Sequence, residues 1–172
     1  MSIGFLFAVS SLLLGIWVAA IPQIKTRLEL TDATLGLSLL LAPVGALTGV
    51  IVSPYVFKKI EVGKWLVAGH LAYCAIFIAQ VYAINPIMLW IALYLNGLIG
   101  FLNGVSTNAV VDLLEKKENR HLMSTSHGMY SAGGFVSAGF AAIFYSRACR
   151  IQCTLTRIGY GHHDHSLHNI AK

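Results

Sequence analysis

The sequence predicts an all-α membrane protein, and three observations support this fold class. The chain of 172 residues is 56% hydrophobic and only 11% charged, whereas a soluble domain carries about 25% charged residues. Its mean hydropathy is +0.71. Up to position 146, every Asp, Glu, Lys and Arg falls in one of three short clusters, at 25–32, 58–64 and 112–120. The polar surface that a soluble protein of this size needs is therefore missing.

Five stretches are apolar enough to cross a bilayer, for which a helix needs about 20 residues. These predicted spans lie at about 3–21, 35–52, 65–84, 87–111 and 127–145. The first has no basic residue ahead of its apolar core, which argues against a cleaved signal peptide. The fourth is long enough to be tilted or bent.

Capping residues predict where three of the spans begin. Thr31 and Asp32 precede the second span, where a side-chain oxygen can accept from free backbone N–H groups. Asn85 and Pro86 open the fourth, with Asn as N-cap and Pro at the first helical position. Residues 124–126 should cap the fifth in the same way. The short link between the third and fourth spans predicts a tight antiparallel pair.

The basic residues predict a cytoplasmic N-terminus, because cytoplasmic loops are enriched in Lys and Arg. In that orientation the clusters at 58–64 and 112–120 face the cytoplasm with six Lys and Arg residues, against two in the cluster at 25–32. The net charge of +5 is not spread along one face, so no nucleic-acid partner is predicted.

The segment 147–172 departs from this pattern. It places four more basic residues on the outer side and has no run of more than two apolar residues. Each Arg at mid-bilayer costs about 3 kcal/mol, which excludes a sixth span. We therefore divide the chain into a transmembrane bundle at 1–146 and a tail that is either out-of-frame translation or a disordered polar terminus. Two Cys and two His of the tail, Cys149, Cys153, His163 and His168, are spaced too closely for a zinc finger, and no metal site is predicted.

Three stretches of the chain carry a resemblance to a known family. They read "WVAAIPQIKTRLELTDATLGLSLLLAPVGALTG", "NGLIGFLNGVSTNAVVDLLEKKENR" and "HLMSTSHGMYSAGGFVSAG". In order and spacing they resemble the major facilitator superfamily of secondary transporters, in its bacterial branch of fucose-permease-like inner-membrane proteins. The resemblance covers about residues 1–146. It implies two six-helix halves, each built from two inverted three-helix repeats. This chain would supply five helices of the first half-bundle, as an N-terminal part truncated or frameshifted near residue 146.

The family's signature between the second and third spans, G-x-x-x-D-[RK]-x-G-R-[RK], is degraded here. The corresponding stretch is "SPYVFKKIEVGKW", in which Ser53 replaces the first glycine and Phe57 replaces the aspartate. Gly63 and Lys64 come three residues late. The glycine-proline signature that drug antiporters carry in the fifth span is also absent, which argues against a drug exporter.

Polar residues within the spans are the candidate solute-binding residues, because hydrocarbon penalises them unless they face protein or water. Asn96 and Asn103 are seven positions apart on one face of the fourth span, which lines the central cavity in the fold that the resemblance implies. They bind solute or hold helices together, and the sequence leaves both open. His127, Tyr130 and Ser131 share one side of the fifth span. Three interpretations stay open: the three residues bind solute, His127 carries a proton, or His127 lies at the membrane interface as part of the helix start.

Three further sets of residues have structural alternatives. Trp17 lines the cavity from the first span or anchors in the interfacial belt. His70 and Gln80 are interpreted as structural, since the third span supports the bundle in the implied fold. Small residues in the second span should allow close helix contact, and these are Gly36, Gly45 and Gly49.

Together these observations predict a transporter that moves a small polar solute, for which a sugar is one candidate, by alternating access. Proton and sodium are the candidate coupling ions, and a coupling carboxylate would have to lie at a span end (Asp32, Asp112) or outside this sequence. The predicted location is the bacterial inner membrane, with the lipid bilayer as partner and no cofactor. An enzyme is not predicted. A non-transporting membrane partner or sensor protein stays open as the alternative.

Overall fold

The computed structural model describes residues 2–118, 122–140 and 143. These residues are almost entirely helical and contain no strand. The helices in chain order are α1 (Ser2–Arg27), α2 (Asp32–Leu39), α3 (Leu41–Lys59), α4 (Val62–Val81) and α5 (Pro86–Glu118), followed by α6 over residues 122–140. The predicted tail at 147–172, with its Cys and His residues, lies outside the described residues.

Four stretches are long and apolar enough to cross a membrane. They are Phe7–Arg27, Asp32–Lys59, Val62–Val81 and Pro86–Lys117. They overlap the first four predicted spans, and the predicted all-α membrane fold class is confirmed. The predicted fifth span overlaps α6, and its final residues extend past the described part of the chain.

Two of the predicted helix starts are confirmed by their hydrogen bonds. The Thr31 hydroxyl accepts from the backbone N–H of Thr34 at 3.1 Å. The Asn85 side chain accepts from the N–H of Met88 at 2.7 Å, ahead of a helix that begins at Pro86. The start predicted at residues 124–126 is wrong, because α6 already covers them.

The second span is interrupted at Leu40, where α2 ends and α3 begins. Pro43 lies just past the interruption and has no backbone N–H. It therefore cannot donate to the carbonyl of Leu39, four residues earlier, and its ring crowds that carbonyl. The two helices nonetheless form one apolar stretch, Asp32–Lys59.

The surface of the bundle is apolar and its interior is partly polar. Large side chains such as Ile51, at 69% exposed, and Phe135, at 82% exposed, point outward. Small polar side chains, among them Ser38, Ser106 and Ser137, are buried. This distribution is typical of a molecule surrounded by lipid. Exposure of apolar side chains to lipid carries no free-energy cost, whereas polar side chains need hydrogen-bond partners within the protein.

Helix α5 packs directly against α3 through glycines. A Cβ atom placed on Gly97 would overlap the backbone carbonyl of Ala42, and one placed on Gly45 would overlap the carbonyl of Tyr94. A Cβ on Gly49 would press on Phe101. The predicted role of Gly45 and Gly49 in close contact is confirmed. The same prediction for Gly36 is wrong, because nothing lies within 4 Å of its Cβ position.

Helices α1 and α6 meet through a second set of small residues. A Cβ on Gly133 would come within 2.7 Å of the Ala8 carbonyl oxygen. The Ser137 hydroxyl donates to the carbonyl of Leu12 at 3.3 Å, and a Cβ on Gly15 would overlap that same serine. The numbering rises together along both helices, so α1 and α6 run in the same direction.

Helices α4 and α5 form the predicted antiparallel pair. The side-chain nitrogen of Gln80, near the end of α4, donates to the carbonyl of Ala92 near the start of α5 at 3.1 Å. At the same end of the bundle, one guanidinium nitrogen of Arg27 in α1 donates to the carbonyls of Val81, at 2.6 Å, and Ala83, at 2.9 Å. This end is therefore tied together across three helices.

We predict that Gly97→Ala destabilises the protein while Gly36→Ala does not. At Gly97 the added methyl group meets a backbone carbonyl that cannot move aside, and overpacking of this kind costs about 1–3 kcal/mol. At Gly36 the methyl group enters open space, and helix propensity favours alanine by up to about 1 kcal/mol. Thermal unfolding of both variants in detergent micelles measures the difference, and equal midpoints would contradict the backbone contact.

Candidate functional site

A cavity of about 170 Å³ lies among α1, α4, α5 and α6. Each helix contributes residues to its wall, and these are Phe7, Ser10, His70, Tyr73, Gly100, Asn103, Gly104, Thr107 and Tyr130. Phe7 and Ser10 are near the start of α1, whereas Arg27 is at its other end. The cavity therefore opens in the half of the bundle opposite the Arg27 contacts.

The described wall of the cavity is polar but carries no Asp, Glu, Lys or Arg. Its polar groups are hydroxyls, an imidazole and an amide, set among aromatic rings. Such a wall can donate and accept hydrogen bonds. The volume of the cavity is below the roughly 300–1,000 Å³ of sites for drug-sized ligands, which favours a small molecule. The polar, uncharged groups of the wall favour a molecule that is polar and uncharged.

Asn103 lies at the cavity wall, but both ends of its side-chain amide form hydrogen bonds with the neighbouring helix α4. Its Oδ1 accepts from the indole nitrogen of Trp65 at 3.1 Å, and its Nδ2 donates to the carbonyl of Gly69 at 3.0 Å. The residue is 5% exposed. Both partners belong to α4, so these contacts correspond to the helix-holding alternative that the sequence left open.

Asn96 is placed differently. It lies beside the Tyr73 side chain of α4 and is not among the residues that line the cavity. Its Nδ2 is buried and forms no well-aligned hydrogen bond within the described part of the chain, and the polar group that it lies near is the Tyr73 hydroxyl. The two asparagines therefore share a helix face, as their spacing predicts, yet only Asn103 reaches the cavity.

His70, interpreted as structural from the sequence, lines the cavity. Its Nδ1 lies 2.7 Å from the carbonyl oxygen of Leu66, one turn earlier in α4. A carbonyl oxygen only accepts, so Nδ1 must carry the hydrogen. In the neutral ring this leaves a lone pair on Nε2.

The predicted cluster on α6 is divided by the structure. The rings of His127 and Tyr130 both pack edge-on against Phe7, with centroids 5.3 Å and 6.5 Å away. Tyr130 lines the cavity. Ser131 instead lines a separate groove of about 530 Å³ between α1 and α6, whose wall also includes Tyr130 and Leu14.

Trp17 is neither a cavity residue nor an exposed one. It is 8% exposed and belongs to a buried apolar cluster with Ile24, Phe77 and Leu89, among others. The ring therefore contributes to the core where α1 meets α4 and α5.

The degraded signature segment joins α3 to α4. Phe57, at the position that the resemblance gives to an aspartate, packs edge-on against Trp65 with ring centroids 6.2 Å apart. Trp65 in turn donates to Asn103. The aromatic ring of Phe57 thus occupies the position of an acidic side chain. It packs against Trp65, whose indole N–H donates to Asn103 in the cavity wall.

Several wall residues escaped the sequence reasoning, chiefly Phe7, Ser10, Tyr73 and Thr107. One signal could have found part of the wall. Gly100, Asn103, Gly104 and Thr107 recur at three- and four-residue spacing, which places them on one face of α5. Residues on α1 and α4 carry no comparable pattern, because helix packing alone brings them to this face.

These features define the chain as an all-α, multi-pass membrane protein with a polar cavity inside its bundle. The chain is similar to an uncharacterized MFS-type transporter of Yersinia pestis, with 32% identity over 138 residues, covering 77% of this chain and 35% of the relative. It is also similar to the uncharacterized transporter y4wD of Sinorhizobium fredii, with 26% identity over 159 residues, covering 90% of this chain and 42% of the relative.

The chain thus spans 35% and 42% of the lengths of these curated relatives. No family model matches it. No solved structure matches it either.

We predict that Asn103→Leu destabilises the protein more than Asn96→Leu does. The first change leaves the part-buried Trp65 N–H and the buried Gly69 carbonyl without their partner, and interhelical hydrogen bonds of this kind contribute roughly 0.6–2 kcal/mol. The second removes a buried amide nitrogen that lies near the Tyr73 hydroxyl but forms no well-aligned hydrogen bond, so less should be lost. Unfolding of both variants in mixed micelles measures the two effects, and a larger loss for Asn96→Leu would overturn the assignment.

Proposed function

We propose that this chain is part of a secondary transporter of the major facilitator superfamily and that the cavity among α1, α4, α5 and α6 binds its solute. One observation carries the proposal: a polar, uncharged cavity lies inside a bundle whose outer surface is apolar. Polar groups are costly inside a membrane and mark solute pathways when they surround a cavity. The relatives named as transporters support the same function.

The solute is a small neutral molecule with several hydrogen-bonding groups, and a sugar satisfies this description. The wall offers the hydroxyl of Tyr130, the imidazole of His70 and the hydroxyl of Thr107, which already donates to the Asn103 carbonyl at 2.7 Å and is therefore left as an acceptor. Aromatic rings from Phe7 and Tyr73 supply flat apolar surfaces beside them. A charged solute would find no opposite charge among the described wall residues, so the free-energy cost of removing its charge from water would not be compensated.

Transport proceeds by alternating access, in which the bundle rocks around the bound solute. In the proposed orientation the N-terminus is cytoplasmic and the protein is in a bacterial inner membrane. The starts of α1, α4 and α6 then face the cytoplasm, as does the end of α5. The cavity, which lies nearer these ends, is proposed to open toward the cytoplasm. A non-transporting partner or sensor protein would not need such a cavity.

We predict that Gly104→Leu in the full-length protein abolishes most solute uptake. Nothing lies within 4 Å of the Gly104 Cβ position, so a leucine there can enter the cavity without distorting the helices. Because it would fill much of a cavity of about 170 Å³, uptake should fall at least about tenfold, which equals about 1.4 kcal/mol of lost binding.

The measurement is uptake of D-galactose, L-fucose and D-mannitol into vesicles that carry the full-length protein. Gly128→Leu is the matched control, because its Cβ position is equally open but outside the cavity wall. Equal uptake by the Gly104→Leu variant and the parent would remove the cavity from the pathway. Uptake by the parent that never saturates would contradict the transporter itself.

A further inference from the structure

The groove between α1 and α6 adjoins the cavity but differs from it in chemistry. Tyr130 belongs to the walls of both. The other groove residues are mostly apolar or small, and these are Leu14, Gly15, Val18, Ala19, Gly134 and Ala138, with the hydroxyls of Ser11 and Ser131. None of the described groove residues carries a charge. The polar wall of the cavity therefore continues, past one tyrosine, into a surface that favours apolar groups.

Close packing of the two helices keeps the groove free of bulky side chains. A Cβ on Gly15 would overlap Ser137 of α6, so no large side chain can stand between the helices at this level. Leu14 and Val18 line the groove and are 43% and 56% exposed. An apolar group that entered the groove would therefore bury apolar surface on both helices.

The groove extends from the cavity toward the Arg27 end of α1. Along α1 the cavity wall ends at Ser10, and the groove continues over residues 11–19, about 12 Å at a rise of about 1.5 Å per residue. On α6, which runs in the same direction, it covers residues 130–138. Its volume is about 530 Å³, against about 170 Å³ for the cavity. A solute that only fills the cavity therefore leaves the groove unused.

We propose that the solute is amphiphilic, with its polar, uncharged part in the cavity and an apolar substituent in the groove between α1 and α6. Because both surfaces include Tyr130, one molecule can contact both. The apolar substituent gains free energy by leaving water for the groove. This inference rests on the proposed function, because it requires the polar part of a solute in the cavity. If another helix of the full-length protein filled the groove instead, an apolar substituent would gain nothing.

Binding of alkyl glycosides distinguishes these two occupants. Methyl, ethyl, propyl and butyl β-D-galactoside carry the same sugar and differ only in the length of the apolar substituent. Their affinities for the full-length protein in lipid nanodiscs are measured beside those of the matching L-fucosides, with binding to protein-free nanodiscs subtracted. Each added methylene group should tighten binding about threefold when it is buried. The butyl compound should therefore bind at least about tenfold more tightly than the methyl compound.

Two substitutions change the groove in different ways. Ala138→Leu adds bulk to a groove residue that is outside the cavity wall, and it should bring the butyl-to-methyl affinity ratio close to one. Val18→Thr replaces one methyl group of the groove by a hydroxyl and should lower the ratio about threefold. Ala132→Leu is the matched control, because Ala132 is an exposed residue of α6 that lines neither surface. It should keep the ratio of the parent.

Equal affinities for the methyl and butyl glycosides, in a parent that binds the free sugars, would overturn the amphiphilic solute and leave the proposed function standing. A parent-like ratio in both Ala138→Leu and Val18→Thr would place the alkyl chain outside the groove, which would also overturn it. Loss of the ratio in Ala132→Leu would do the same. Failure of the parent to bind any of the sugars or glycosides would overturn the proposed function, and this inference with it.

Discussion

The structure depends on one steric constraint, the direct contact between the backbones of α3 and α5. Gly45 and Gly97 leave no room for a side chain between these helices, so the rotation of α5 about its axis is fixed. Gly100, three residues after Gly97, then faces Tyr73 of α4, whose ring would lie 3.1 Å from an added Cβ. The face of α5 that lines the cavity is thus set by how the adjacent face meets α3. Small residues serve this purpose in membranes because lipid offers no hydrophobic force to hold helices together.

Much of the fold could be predicted from the sequence, for reasons that are local. Long apolar stretches mark the spans because a charged residue in hydrocarbon is expensive. Thr31 and Asn85 mark helix starts because their side chains satisfy nearby backbone N–H groups. The same reasoning failed at residues 124–126 because that stretch is also compatible with the interior of a helix. There Glu115, eight residues earlier in α5, accepts from the Met123 N–H at 2.9 Å, whereas the capping patterns used for prediction join residues about three positions apart.

The candidate site was less predictable, because helical spacing identifies a face but not what lies opposite it. Asn96 and Asn103 are equivalent by periodicity. They differ because Trp65 and Gly69 lie at the depth of Asn103 and pair with both ends of its amide, whereas Asn96 has only the Tyr73 side chain beside it and its amide nitrogen forms no well-aligned hydrogen bond. His70 was assigned a structural role on the position of its helix in the implied fold. Its contact with Leu66 engages only one ring nitrogen, and the packing of four helices places the residue at the cavity wall.

Arg27 gives the bundle a mechanical asymmetry. Its guanidinium group binds backbone carbonyls of the α4–α5 connection, and the cavity begins at Ser10, 17 residues earlier in α1. At about 1.5 Å per residue this is some 25 Å along the helix axis. The acceptors are backbone carbonyls, which every residue carries. Substitutions in the α4–α5 connection that preserve its backbone path should therefore leave the hydrogen bonds to Arg27 in place. With α1 anchored at that distance, a tilt of only a few degrees about the anchor would displace the residues that α1 contributes to the cavity wall by more than about one ångström.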